Sequence, residues 1–216
     1  YRDGSWRPYT EEELLDVLVE DAAATPPYTR ISRMIRDISS HDIVAGNKKV
    51  NLRQLVERRA EEAGVRFEEI RTREIGTDGA DVGALALSVV AYETAVASER
   101  FLQWTAPDGR IAAFLRLSLP FPSCVDDLRE RFADFPIGPS EAMIREVHVY
   151  GAVAGLHRTS AGAQHLGLGK RLIEAATDIA REDGCEALNV ISAVGTREYY
   201  RGLGFQDKGM YQQKTL

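Results

Sequence analysis

The chain has 216 residues and carries 27 Lys and Arg against 33 Asp and Glu, a formal net charge of −6. Hydrophobic residues make up 44% and charged residues 28%, a balance that excludes a disordered chain and a uniformly basic nucleic-acid binder but leaves room for a local basic patch. Two cysteines, Cys124 and Cys185, are too few for a disulfide framework or a zinc cluster and point to a reducing cytoplasm. No apolar run reaches the length of a membrane span, so no membrane partner is expected. The first residue is Tyr1, which reads as the start of a piece of a longer protein.

In chain order, Thr10 with Glu13 three residues on has the pattern of a capping box. It opens a helix through Leu14, Leu15, Val17 and Leu18 that Pro26 and Pro27 end. Arginines then recur every third residue at Arg30, Arg33 and Arg36. Asn51 is expected to cap a helix from Leu52 to Ala63, closed by Gly64. Arg66 to Ile75 reads as a strand carrying Arg71 and Arg73. Between Tyr28 and Arg73 there are eleven Lys and Arg against seven Asp and Glu, in a chain that is otherwise acidic. Two readings stay open. One is a solvated face with internal ion pairs. The other is a phosphate-tracking patch for nucleic acid, made of Arg30, Arg33, Arg36, Lys48, Lys49, Arg53, Arg71 and Arg73.

A Gly- and Asp-rich turn at residues 77–83 precedes an apolar strand from Ala84 to Ala91. Two further strands, Arg100 to Thr105 and Arg110 to Leu117, flank Asp108-Gly109, a hairpin signal. Pro120, Pro122, Pro136 and Pro139 suggest a surface excursion before a strand from Met143 to Val149. A helix over 170–182 ends at Gly184, followed by a short buried strand from Ala187 to Ser192. A short helix from Gly195 to Phe205 and a last strand from Gly209 to Leu216 complete the chain. Strands leading into a strand–helix–strand–helix–strand tail predict an α/β fold, a mixed central sheet flanked by helices.

The stretch Gln164-His165-Leu166-Gly167-Leu168-Gly169-Lys170-Arg171 joins that middle strand to the helix after it. First-turn amides of a helix have no partner within the helix, and the dipole adds partial positive charge there. Glycines at 167 and 169 remove side chains that would hold a ligand off those amides, so the place suits a pyrophosphate. Lys170 and Arg171 can neutralise phosphate or simply be exposed. Glu146 and His148 lie two apart on a strand and so share a face, as a base and relay or as a hydrogen-bonded pair. Tyr200, four residues before Gly204-Phe205, offers a phenol that could protonate a departing thiolate, while of Tyr199 and Tyr200 one is expected to pack. Serines and histidines show no order that would make a hydrolase triad.

The spacing Gln164-x-x-Gly167-x-Gly169 resembles the acetyl-CoA loop of the GCN5-related N-acetyltransferase superfamily, which implies that fold. A more specific resemblance covers nearly the whole chain. Arg33-x-x-Arg36-Asp37-Ile38, Asn51-Leu52-Arg53, Arg71-Thr72-Arg73-Glu74, Ile144 to Gly151, Gln164 to Gly169 and Val190 to Arg201 together resemble the catalytic-subunit family of Elongator. That resemblance implies an acetyltransferase-like domain over 76–216 that binds acetyl-CoA through Glu146, Val147, His148, Val149, Gln164, Gly167, Leu168, Gly169, Lys170, Arg171 and Tyr200. It implies a linker over 1–75 bordering a radical S-adenosylmethionine domain, whose iron–sulfur cluster and S-adenosylmethionine belong to a half outside this chain. The implied activity is carboxymethylation at C5 of the tRNA wobble uridine, with the anticodon stem-loop as partner and Tyr200, Tyr199, His148 and Glu146 as catalytic candidates. Leu166 stands where the family has glutamine, Phe67 where a cysteine is common, and Gly76 begins a turn where a histidine usually follows, so no metal site is expected. Alternatives are a stand-alone N-acetyltransferase acting on a protein lysine or small amine, and an RNA-binding module with a vestigial loop.

Overall fold

Local helix rules account for the first element. In the computed structural model, which describes residues 1–34, 39–76, 81–150 and 167–216, helix α1 spans Glu11–Ala24. The Glu13 amide donates to Thr10 Oγ1 at 3.2 Å, and the Thr10 amide donates to Glu13 Oε2 at 2.8 Å. Helix α2 spans Leu52–Glu62 and buries Leu52, Val56 and Ala60, one residue per turn. These meet Val19, Ala22 and Phe67 in a small core. Gly64, at φ +68°, carries the chain past the helix in a backbone conformation that favours glycine.

The chain divides into two compact units, Tyr1–Arg73 and Glu74–Leu216. Two expectations fail in the first unit. Asn51 occupies the N-cap position of α2 but makes no side-chain capping bond. The strand expected over 66–75 is absent; the chain instead makes a 3₁₀ turn at Arg71–Arg73 and a lone parallel bridge from Glu74 to Ile111. The cause is Glu69. Its fully buried carboxylate accepts from the amides of Ile31, Arg71 and Thr72, from the Thr72 hydroxyl and from Arg53, and five donors converging on one carboxylate bend the backbone around it.

The second unit is a seven-stranded sheet in the order β1-β2-β3-β4-β5-β7-β6. Its strands are β1 Ala86–Glu93, β2 Ala97–Thr105, β3 Ile111–Pro120, β4 Glu141–Val149, β5 Ala187–Val190, β6 Gln206–Lys208 and β7 Tyr211–Thr215. Every neighbouring pair is antiparallel except β4 with β5. The hairpin at Asp108-Gly109 forms as expected, with Gly109 at φ +86°. Helix α4, Leu168–Glu182, runs between the two parallel strands. Its Leu172, Ile173, Ala176 and Ala180 join Leu102, Leu115, Leu117 and Ile144 of the sheet in the main core.

Two further differences have physical reasons. Residues Pro122–Arg131 form helix α3 and not an irregular excursion, because Pro122 stands at the first helical position, where a missing N–H costs nothing. Strand β6 is only three residues long and too short to carry a period-2 signal. Helix α5, Arg197–Gly202, follows a 3₁₀ turn at Val194–Thr196, and Thr196 makes no side-chain cap, its hydroxyl donating instead to Ala193 O.

Candidate functional site

β4 is nine residues long and β5 only four. β4 pairs with β5 from Glu141 to Ile144 and stops there, while its pairing with β3 continues to Val149. Among the described residues no strand pairs with the β5-facing edge of residues 145–149. A wedge therefore opens between two parallel strands, and a row of main-chain donors and acceptors lines one wall. A β-bulge marks where it opens: Arg116 faces Glu146 and the next residue of β3, Leu117, faces Ile144, so Arg145 is the extra residue.

Helix α4 begins at the same end of β4. Its first bond runs from the Arg171 amide to Gly167 O, so the amides of Leu168, Gly169 and Lys170 precede the helical ladder. A Cβ on Gly169 would lie 3.3 Å from Tyr199 Oη and 3.5 Å from Val149 Cγ2. Helix start, strand end and a tyrosine hydroxyl thus converge on one residue without a side chain. A Cβ on Gly167 would meet nothing within 4 Å. Leu168 contributes only main chain here, because its side chain is in the core.

The two tyrosines take different places. Tyr199 is 44% exposed and carries its hydroxyl to Gly169; burial and nearby Glu174 raise its phenol above the ordinary value. Tyr200 is 8% exposed, and its ring packs edge-on against Phe205 and Tyr199. Burial, with Tyr199 adding to it, pushes its phenol up to about 12. The ring of Tyr200 is thus packed against the interior, and Tyr199 is the more exposed of the pair. Neighbours on a helix point about 100° apart, so they cannot share one outlook.

The cations at the helix start are engaged within the protein. Lys170 lies 3.6 Å from Glu174, and the Arg171 guanidinium sits 4.1 Å from the centre of the Trp104 ring. The Trp104 indole N–H beneath it is buried and has no hydrogen-bond partner among the described residues. Gln164, His165 and Leu166 lie outside the described residues.

Glu146 and His148 do share a face, as strand periodicity requires. Glu146 is paired with Arg116, whose Nε donates to Oε2 at 2.9 Å. Arg116 in turn lies over the rings of Phe101 and Phe114 at 5.3 and 5.6 Å. His148 stacks on Phe114 and lies 4.4 Å from Tyr150, whose hydroxyl donates to Glu74 at 3.0 Å. Of the two candidates, Glu146 is held as an ion pair and His148 is an exposed imidazole on an aromatic bed.

Sequence reasoning missed Glu99. This β2 residue is 3% exposed, accepts from the Ser118 hydroxyl at 3.0 Å and lies 3.3 Å from bulged Arg145. Burial pushes its carboxyl up, with Arg145 opposing. Glu99 stands in the polar run Ser98-Glu99-Arg100, and nothing in the spacing singles it out as the buried member.

In the N-terminal unit the basic residues also find partners. Arg53 donates to Ile31 O at 2.6 Å and to Glu57 and Glu69 at 3.2 Å. Arg71 donates to Ser32 O at 2.6 Å, and Arg73 to the carbonyls of Glu68 and Pro27. Lys49 pairs with Glu11 at 2.5 Å. Arg30, Arg33 and Lys48 are exposed, and Arg36 lies outside the described residues. Burial draws Glu69 upward, but the Thr72 hydroxyl, the amides of Ile31 and Arg71 and the Arg53 guanidinium outweigh it and hold the carboxyl below its ordinary value. Among the described residues no group of three or more His, Cys, Asp and Glu could hold a metal ion, and no helix is long and apolar enough to cross a membrane.

A splayed parallel pair with a glycine-opened helix at its mouth is the fold of the acetyltransferase (GNAT) class. The acetyltransferase (GNAT) family model matches residues 87–205, more than half of the chain, and the protein belongs to that family. The radical SAM C-terminal domain model matches residues 1–62. Two curated relatives align over the whole chain: Elongator complex protein 3 of Mus musculus at 34% identity, and a tRNA uridine(34) acetyltransferase of Dehalococcoides mccartyi at 33%. The chain spans 39% and 47% of their lengths, respectively. A solved structure of archaeal Methanocaldococcus infernus Elp3 with an N-terminal deletion aligns with all of this chain at TM-score 0.82 and 33% identity, and the aligned part is 51% of that structure.

Proposed function

We propose that this chain is the acetyl-CoA-binding half of a tRNA wobble-uridine C5-carboxymethylating enzyme, acting on the thioester when tRNA is present. The observation that carries the reading is the convergence of Val149, Gly169 and the Tyr199 hydroxyl at the mouth of the β4/β5 wedge. The residues fit the group: main chain of 146–149 for an amide-bearing arm, and the first-turn amides of α4 for a diphosphate. Acetyl-CoA, when bound, supplies an activated acetyl thioester. In this reading Tyr199 donates a hydrogen bond at the helix start. Tyr200, protonated well above neutral pH, can donate a proton but not accept one. Arg116 fixes Glu146, and His148 remains as the group free to take a proton from water. Arg171 acts from its seat on Trp104.

Residues 76–216 form the acetyl-CoA-binding domain in this proposal, and residues 1–75 border a radical S-adenosylmethionine domain and carry part of the tRNA surface. The names of the full-length relatives support this assignment. Two unpaired cysteines suit a reducing cytoplasm. The test is release of free thiol from acetyl-CoA by the purified chain, with and without tRNA. Release stimulated by tRNA supports the reading. Transfer of acetyl groups to amines without RNA would instead make the protein a stand-alone N-acetyltransferase. RNA binding with no affinity for acetyl-CoA would make the loop vestigial.

A further inference from the structure

The N-terminal unit holds an open cavity of about 570 Å³ beside the first turn of α2, and three arginines line it: Arg33, Arg53 and Arg71, together with Asn51 and Gln54. Two of these guanidiniums are fixed before any ligand arrives. Arg53 is held by Ile31 O, Glu57 and Glu69, and Arg71 by Ser32 O. A guanidinium has five N–H donors, and these bonds engage only two nitrogens of Arg53 and one of Arg71. The carboxylate beneath them does not compete for a cation, because Glu69 is fully buried and already accepts five hydrogen bonds. Glu57 is paired with Arg53, and the first turn of α2 contains no acidic residue.

We propose that this cavity is a seat for a phosphate group, and that the phosphate belongs to the backbone of an RNA strand. Arginine forks match phosphate oxygens two at a time, and the amides of Asn51 and Gln54 add neutral donors. Arginines already held by carbonyls have lost their rotamer freedom on folding, so binding does not have to order them. The volume exceeds that of a phosphate alone, and the cavity is open to solvent. The identity of the strand rests on the proposed tRNA reading; the phosphate chemistry does not.

Gln54→Glu places a carboxylate in the cavity from an exposed helix position, so the fold is expected to survive; circular dichroism checks this. The full chain is titrated with an anticodon stem-loop RNA across a salt series, and separately with inorganic pyrophosphate. Wild type should bind RNA, and Gln54→Glu should weaken it about tenfold near 100 mM salt and lower the slope of log K against log salt by about 0.7–0.9. Arg71→Lys, which keeps charge but loses the fork, should weaken binding with little change in slope. RNA affinity and slope unchanged in Gln54→Glu would overturn the proposal. If wild type ignores RNA but binds pyrophosphate in a manner Gln54→Glu abolishes, the cavity is a phosphate seat for a free ligand and the tRNA reading fails on its own. Binding of neither ligand overturns the phosphate seat outright.

Discussion

The two units build their candidate sites from different materials. In the C-terminal unit the wedge is made of main chain: a strand edge that no described strand pairs, first-turn amides and a glycine that a tyrosine hydroxyl approaches closely. In the N-terminal unit the cavity is made of side chains, arginines held in place by carbonyls and by one buried glutamate. A main-chain site depends on the absence of side chains and should be lost when one is added. A side-chain site depends on its internal scaffold and should be lost when the scaffold is cut.

The largest effect tests that contrast on stability. Glu69→Ala leaves five donors without an acceptor, including a partly buried guanidinium, and should destabilise the N-terminal unit by about 3–5 kcal/mol in urea unfolding. Next is the wedge. Gly169→Val puts side chain where Tyr199 Oη and Val149 already stand, and acetyl-CoA affinity should fall at least about tenfold by titration calorimetry. Gly169→Ala separates site from fold: alanine in a helix is favoured by roughly 0.5–1 kcal/mol, so affinity should fall while the melting temperature holds or rises.

Chemistry follows. Tyr200→Phe should slow tRNA-stimulated thiol release by about 10²-fold with acetyl-CoA affinity nearly unchanged. Tyr199→Phe should do the reverse, weakening acetyl-CoA binding more than it slows release. A smaller effect concerns pH. Glu69 titrates below its unfolded value of about 4.3, so the stability it adds is present above that value and is lost as pH falls through its depressed pKa. Urea midpoints between about pH 5 and 3 should drop for wild type and flatten in Glu69→Gln. Thr10→Ala, which removes one cap, should cost only about 1 kcal/mol.

Much of the fold was legible because backbone rules are local. The capping box at Thr10, the Asp108-Gly109 hairpin, the amphipathic helix after Gly169 and the strand–helix–strand tail all follow from residues within one turn or one strand. What escaped depends on contacts distant in sequence. Glu69 reaches back 38 residues to Ile31 and turns an expected strand into a 3₁₀ turn. Pro122 opens a helix where it was expected to interrupt structure. At the site, glycine spacing located the helix start. It could not separate Tyr199 from Tyr200, because the choice rests on which ring the Phe205 side of the core accepts. Nor could it say that Arg171 lies on Trp104 or that Glu146 is tied to Arg116.

The account stands on the wedge beside β4, and amide hydrogen exchange tests it most directly. Adding acetyl-CoA should slow exchange in residues 145–149 and 167–171 while leaving 141–144, already paired with β5, unchanged. Protection elsewhere in the chain, or no protection at saturating acetyl-CoA, would contradict it.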